Sequence, residues 1–391
     1  MSSDSELILT INAGSSSLRF ALFEFGRAGE GVLRGRIGGL GGKDPVCELS
    51  SGQDGEGPSI DGVRDLQQAV AAVTDWLIRE GYAKQIIAIG HRIVHGGDRA
   101  GPARIDDALL TELEGLNGLA PLHQPYALDA IRALRAALSD CSHVACFDTS
   151  FHQTMLPPVR CYALPAALAD RPLVRYGFHG LSFEYIARVL PAQAPRARRA
   201  VVAHLGSGAS MCALAEGHSV DTSMGMTPLD GLPMGTRSGA VDPGLLLWLL
   251  QSGRHDPERL AEILYRQSGL LALSGVSSDM RTLLESDAPG ARLAVEVFAY
   301  RSAQTLASLV VALGGLDALV FTGGIGERAP AVRATIARHC GWMGVELDEA
   351  LNSRNASCIS TADAAVSTWV IPTDEERVIA DHTEALLPRA S

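Results

Sequence analysis

The sequence predicts an α/β fold built from two similar halves, and three observations point to it. Short apolar runs of strand character alternate with helically spaced segments to the end of the chain. A hairpin-like segment near the start, residues 12–24, returns 192 positions later at 204–216. Small-residue turns follow the strand-like runs in both copies, and a Gly-rich one does so again at 322–327.

The first copy, ILTINAGSSSLRFALFEF (8–25), reads as strand, tight turn and strand, with Leu18, Phe20 and Leu22 on one face of the second arm. Its tip, Asn12 to Ser17, has two readings: a solvated turn, or a cradle whose backbone N–H groups and hydroxyls take phosphate oxygens. It is not a Walker A loop, since no G-x-x-x-x-G-K-[ST] occurs in the chain and no helix follows the turn. Residues 38–61 read as a loop-like excursion rich in Gly, Ser and Asp. Over 65–81 the stripe Leu66, Val70, Val73, Leu77 predicts a helix closed by Gly81. Buried strands are expected at 86–90 and 143–147, the latter ending at Asp148. A helix is expected at 129–138 and a Pro/Ala/Arg connector at 191–199.

Sliding the chain by 192 positions lays NAGSSSLRFALFE over HLGSGASMCALAE, with five identities in thirteen and the same strand–turn–strand pattern. Two halves that each present such a tip suggest a duplicated domain with a cleft. A third Gly-rich loop, Thr322 to Glu327, follows the strand-like DALVF and precedes an expected helix at 330–339. Gly324, Gly326 and Ala329 also fit the dinucleotide fingerprint, with Asp348 about twenty residues on as a ribose acid. That motif ordinarily opens its βαβ unit, whereas this one comes late. A nucleotide loop of a kinase explains all three loops together, and an NAD-dependent oxidoreductase is the distant alternative.

Composition narrows the class. The 391 residues allow two domains, and a hydrophobic content of 47% supplies large cores. A net charge of -11 argues against nucleic acid or an anionic membrane as partner. The longest apolar runs are too short to span a bilayer. The N-terminus lacks the basic and apolar regions of a signal peptide. The seven scattered cysteines have no zinc spacing and read as reduced thiols of a cytoplasmic protein.

Several segments set charge among Gly and small residues: GHRIVHGGD with Arg92, APLHQP with His123, FDTSFHQT with Asp148, and RYGFHG with His179. MGMTPLDGLPMGTRSG carries Arg237, and IPTDEERVIADHT carries Asp374, Glu375 and Glu376. A lone His in such a place is often structural, and an acidic run often just opens a helix.

Together these segments, in order along nearly the whole chain, resemble the acetate kinases. DTSMGMTPLDGLPMGTRSGAVDPG (221–244) is the longest and most specific of the shared pieces. The resemblance implies two duplicated actin-like ATPase domains of ribonuclease H-like fold around a nucleotide cleft. The first would be 1–149 plus 377–391, and the second 150–376 with the nucleotide loops. It implies reversible, direct in-line phosphoryl transfer from ATP to acetate, giving acetyl phosphate and ADP. Magnesium would be required, with manganese as a substitute, and the enzyme would be a homodimer. Asn12 and Glu375 would hold the metal, and Ser15, Ser17 and Arg19 would line the phosphate path. Arg92 and Arg237 would flank the acetate carboxylate and the phosphoryl group. His179 would donate to equatorial oxygens with His123 nearby, and Asp148 would be the essential carboxylate. His204, Leu205, Gly206, Ser207 and Gly208 would bind nucleotide. So would Asp279, Met280 and Arg281, and the run Gly324, Ile325, Gly326, Glu327 and Arg328. Val94, Leu122, Phe178 and Pro228 would wall the acetate methyl group.

The physics agrees with this assignment. Two anions must be brought together, which demands fixed positive charge, and acetate is ionised at neutral pH and needs no strong base. Asp148 therefore reads as an organiser of metal and water rather than a proton acceptor. The family usually has Lys at 19, Asn at 207, Phe at 280 and Asn at 328, so nucleotide preference is where this chain departs. Residues 181–183 also replace the usual Thr-Ser-His. Propionate or butyrate kinase is the near alternative. Chaperones and filament proteins of the same superfamily would need a substrate domain or a filament surface.

Overall fold

The structure, a computed structural model, describes residues 5–14, 17–27, 31–42, 44–51 and 57–388. The chain forms two compact units, one of Met1–Phe151 with Asp374–Ser391 and one of His152–Thr373.

Unit 1 runs β1 (Leu7–Gly14), β2 (Ser17–Glu24), β3 (Leu33–Gly38), β4 (Val46–Ser51), α1 (Leu66–Arg79), β5 (Ile86–Ile93), β6 (Ala103–Arg104), α2 (Asp107–Glu114), α3 (Gln124–Ala137) and β7 (Ser142–Phe147). Its described strands form one sheet in the order β4-β3-β2-β1-β5-β7-β6. β1 is antiparallel to β2 and parallel to β5, which is parallel to β7. The period-two pleat decides what each face meets. Leu7, Leu9 and Ile11, with Leu18, Phe20 and Leu22, are buried with Val70, Val73, Trp76 and Leu77 of α1 and Leu134 of α3. Burying each such side chain is worth about 1.5–3 kcal/mol. Ile8 lies on the other face with Ala21, Phe23 and Ala380. Asn12 shares that second face by spacing.

Unit 2 runs α4 (Pro157–Arg160), α5 (Gly180–Gln193), β8 (Arg199–Leu205), β9 (Ala209–Ala215), β10 (His218–Thr222), α6 (Pro243–Gln251), α7 (Pro257–Arg266), α8 (Gly269–Ser274), α9 (Met280–Leu284), α10 (Pro289–Leu313), β11 (Ala318–Thr322), α11 (Gly323–Arg328), α12 (Pro330–Cys340), α13 (Glu349–Ser353) and β12 (Ser367–Val370). Its described strands follow the order β10-β9-β8-β11-β12. β8 is antiparallel to β9 and parallel to β11, as β1 is to β2 and β5. The duplication read from residues 12–24 and 204–216 is thus a duplication of topology. The pairing register differs by one. Gly14 pairs with Ser17, whereas Leu205 pairs with Ala209.

The last helix of the chain, α14 (Glu375–Ala385), belongs to unit 1. Asp374 caps it by accepting from Arg377 N, and the same carboxylate takes both Nη1 and Nη2 of Arg34 at 2.8 and 2.6 Å. Gly90 lets α14 lie against β5: a Cβ there would sit 2.2 Å from Thr383 Oγ1 and 2.6 Å from Ile379 Cγ2. This close approach carries Glu375 to the sheet face on which Asn12 lies.

Four expectations change. Residues 38–61 hold the edge strand β4, whose inward side chains Cys47 and Leu49 are only half-buried and so gave little apolar signal. The helix expected at 129–138 begins at Gln124, because Pro125 sits in its first turn, where a missing N–H does no harm. Pro191 lies inside α5 rather than in a connector. The third Gly-rich loop is no loop: β11 runs straight into α11, and Gly323, at φ 76, passes so close to β8 that a Cβ would lie 2.8 Å from Leu205 O.

Candidate active site

Unit 1 gathers four polar side chains from four elements. Arg92 on β5 donates from Nε and Nη2 to the two oxygens of Asp148, at 3.0 and 2.7 Å, just beyond β7. Its Nη1 donates to Asn12 Oδ1 on β1 at 3.1 Å and lies 3.6 Å from Glu375 Oε2 on α14. Asn12 Nδ2 in turn donates to Glu375 Oε2 at 3.0 Å. Asp148 and Glu375 are buried, at 1% and 5% exposure. Burial opposes the charge on Arg92, yet Asp148 and Glu375 outweigh it and hold its pKa above the ordinary guanidinium value. Two carboxylates and one guanidinium leave a net charge of about −1 among hard oxygen donors. That suits a divalent cation of the magnesium class, which needs only one or two protein ligands.

The neighbouring acids behave differently. Asp374 is occupied by Arg34 and the α14 cap, as described. Burial first, and then the Glu375 charge, raise the Glu376 pKa, and its Oε1 has no hydrogen-bond partner. The GHRIVHGG segment is held by a residue that its sequence gave no reason to notice. Gln124 Oε1 accepts from His95 N at 3.1 Å and its Nε2 donates to His95 O at 2.9 Å. His123 stands at the N-cap of α3 beside half-buried Leu122, and Val94 is buried just after β5. Arg19 is exposed on β2, and Ser17 is half-buried at the start of that strand. Ser15 lies outside the described residues.

In unit 2 a second set of donors converges. His179, with φ 57, sits in the left-handed region immediately before α5. Its Nδ1 is 2.8 Å from Ser210 Oγ, and its ring stacks on His204 with centroids 4.4 Å apart. His204 Nδ1 is held 2.8 Å from Ser182 Oγ. Arg237 is 8% exposed and donates from Nη1 to Pro228 O at 2.7 Å. A Cβ on Gly208 would lie 3.0 Å from Arg237 Nη2 and 3.2 Å from His179 Nε2. Glycine therefore leaves open the point where a guanidinium and an imidazole meet, an arrangement that suits an oxyanion.

The remaining nucleotide-loop residues divide. Ser207 is exposed, His204, Gly206 and Gly208 are half-buried, and Leu205 is a core residue of β8. Asp279 caps α9 and pairs with Arg281, whose side chain is exposed, while Met280 is 4% exposed. Gly324 and Arg328 are exposed, Ile325 is half-buried and Gly326 is buried. Glu327 turns back to accept from Gly323 N at 3.0 Å. Phe178 is buried, and so is Pro228. Asp348, the ribose acid of the dinucleotide reading, caps α13 by accepting from Leu351 N.

A sequence model of the acetokinase family matches residues 7–381. The chain belongs to that family. It is 47% identical to an acetate kinase of Nitrobacter hamburgensis over 97% of this chain and 96% of that one. Among solved structures it resembles a propionate kinase from Francisella tularensis, with a TM-score of 0.89 and 34% identity, covering 98% of this chain and 100% of that chain. It also resembles Porphyromonas gingivalis acetate kinase, with a TM-score of 0.82 and 32% identity over 98% and 100% of the two chains. Membership removes the oxidoreductase alternative, in agreement with the capping role of Asp348.

Three buried imidazoles in this family member make its stability depend on pH. His91 Nε2 lies 3.0 Å from His143 Nδ1 with the rings stacked, and burial lowers both pKa values. Burial likewise lowers His152 to about 4. Each folded pKa lies below the unfolded value near 6.5, so the unfolded chain binds more protons in acid. Their contribution is complete above pH 6.5 and is lost in acid; for His152, with its folded value about 4, the loss at pH 5 is about 2 kcal/mol. Thermal midpoints should therefore drop between pH 7 and pH 5. An unchanged midpoint would contradict the neutral buried imidazoles.

Proposed function

We propose that this protein catalyses reversible phosphoryl transfer from ATP to acetate, giving acetyl phosphate and ADP. The observation that carries the reading is the cluster of Arg92, Asp148, Asn12 and Glu375 in a chain of the acetokinase family. An acetate oxygen attacks the γ-phosphorus, the new O–P bond forms in line with the breaking bond to ADP, and no proton moves. The transition state spreads charge over three equatorial oxygens, so fixed donors supply most of the catalysis.

In unit 2, Arg237 and His179 take those equatorial oxygens, while residues 204–208, 279–281 and 324–328 bind the nucleotide. In unit 1, Arg92 receives the acetate carboxylate with His123 nearby, Ser15, Ser17 and Arg19 serve the phosphate chain, and Asp148 fixes Arg92 and local water. Val94 and Leu122, and in unit 2 Phe178 and Pro228, give apolar contact to the methyl group. Asn12 and Glu375 are the residues that would hold magnesium or manganese, which when bound neutralises phosphate charge.

The reaction test is hydroxylamine trapping of the acyl phosphate from MgATP and a series of carboxylates. Acetate and propionate should be preferred, because each methylene without room changes kcat/KM by about 1–3 kcal/mol. A higher kcat/KM for butyrate would overturn the acetate reading in favour of a longer-chain kinase.

The metal assignment separates three adjacent acids. Glu375→Ala should raise the magnesium requirement and lower kcat. Asp374→Ala should instead destabilise by about 1 kcal/mol, through the lost cap and the Arg34 pair. Glu376→Ala should leave magnesium dependence unchanged. Magnesium titrations with thermal melts decide, and equal magnesium sensitivity at all three positions would contradict the assignment.

Self-association is assigned to α6, the segment PGLLLWLLQ, which has no buried residue and exposes Leu245, Leu247 and Trp248 at 45%, 58% and 60%. An uncharged apolar helix of this kind suits a second copy of the same surface. Sedimentation should give a dimer that Trp248→Glu dissociates. A monomeric parent protein would contradict it.

A further inference from the structure

Nothing in the proposed chemistry uses His152, yet it is fully buried beside one of the two phosphoryl donors. Its Nε2 lies 3.1 Å from Phe178 O, so the ring donates there. With that nitrogen protonated and the ring neutral, Nδ1 must accept, and Ser219 Oγ at 2.8 Å is its donor. Ser219 then accepts from the thiol of Cys212, 3.3 Å away. The chain of hydrogen bonds runs Cys212 to Ser219 to His152 to the Phe178 carbonyl and fixes one tautomer. Packing fixes the ring as well. Phe183 meets it edge-on at 5.7 Å, and a Cβ on Gly177 would lie 2.6 Å from its Cδ2.

What this ring holds is a strained turn. Gly177 has φ 76 and His179 has φ 57, so two left-handed residues flank Phe178. A non-glycine residue in that region keeps it only when its surroundings over-determine it. The bond to Phe178 O restrains the peptide immediately before His179, whose Nε2 shares with Arg237 the open point above Gly208. We propose that His152 is a positioning residue that holds the Phe178–His179 turn and so aims the His179 imidazole. The inference rests on the reading of His179 as a phosphoryl donor, and a misaimed donor lowers the rate while leaving ground-state binding of nucleotide intact.

The test compares His152→Leu, which removes the donor, with His152→Gln, whose Nε2 can reach the same carbonyl. Side-chain histidine NMR, with the His179 signal assigned by its loss in His179→Ala, reads the geometry apart from activity. In His152→Leu the His179 ring resonances should shift, and kcat should fall roughly 30-fold with the nucleotide KM within about 3-fold. His152→Gln should keep wild-type resonances and most of kcat. In the His179→Ala background, His152→Leu should add less than about a 3-fold loss. If His152→Leu does not fold, Ser219→Ala removes the outer bond and should shift the same resonances by less. Unmoved His179 resonances, or the same kcat loss in both backgrounds, would overturn the proposal. A His179→Ala enzyme with normal kcat would instead remove the donor reading of His179, while the ring shift would still stand as the test of the turn.

Discussion

The guanidinium of Arg92 is the group on which the unit 1 site depends. It places three donors on partners from separate elements: two on Asp148 after β7 and one on Asn12 of β1. Glu375, from a helix more than two hundred residues further along the chain, is drawn within 3.6 Å of the same group. Without that charge, two buried carboxylates near one another would repel, and one would take up a proton. With it, the two carboxylates share one cation, which offsets their mutual repulsion. Lysine would supply the charge but not the planar fork that satisfies two partners at once.

The duplicated sheet puts different chemistry on equivalent strand ends. In unit 1 the end of β1 offers Asn12 to a carboxylate and a guanidinium. In unit 2 the end of β8 offers His204, stacked on His179. Gly208, just beyond β8, lies at the meeting point of Arg237 and His179. One framework thus serves an acid-rich site in one copy and a site of cationic and neutral donors in the other.

Much of this was legible in the sequence because the signals were local. The stripe Leu66, Val70, Val73, Leu77 marks α1, and the hairpin repeat marks the two sheets, because apolar spacing and turn chemistry act within a few residues. Motif order along the chain carried the family. What stayed hidden depends on contacts between distant segments. Gln124 clamps His95, Gly90 admits α14 and His152 restrains Phe178, and none of these has a neighbour in sequence that announces it. Met280 and Glu327 read as nucleotide-binding residues from their motifs. The fold buries one and turns the other back onto the backbone. Edge strand β4 escaped notice for a related reason: its inward Cys47 and Leu49 are only half-buried.

A bidentate guanidinium, and not positive charge alone, organises the acids of unit 1. Steady-state kcat for acyl phosphate formation by Arg92→Lys, measured beside Arg92→Ala on protein with a wild-type thermal midpoint, tests it most directly. Both variants should lose about two to three decades of kcat, because lysine cannot bond Asp148 twice while reaching Asn12. An Arg92→Lys enzyme with kcat within a few-fold of wild type would contradict the account.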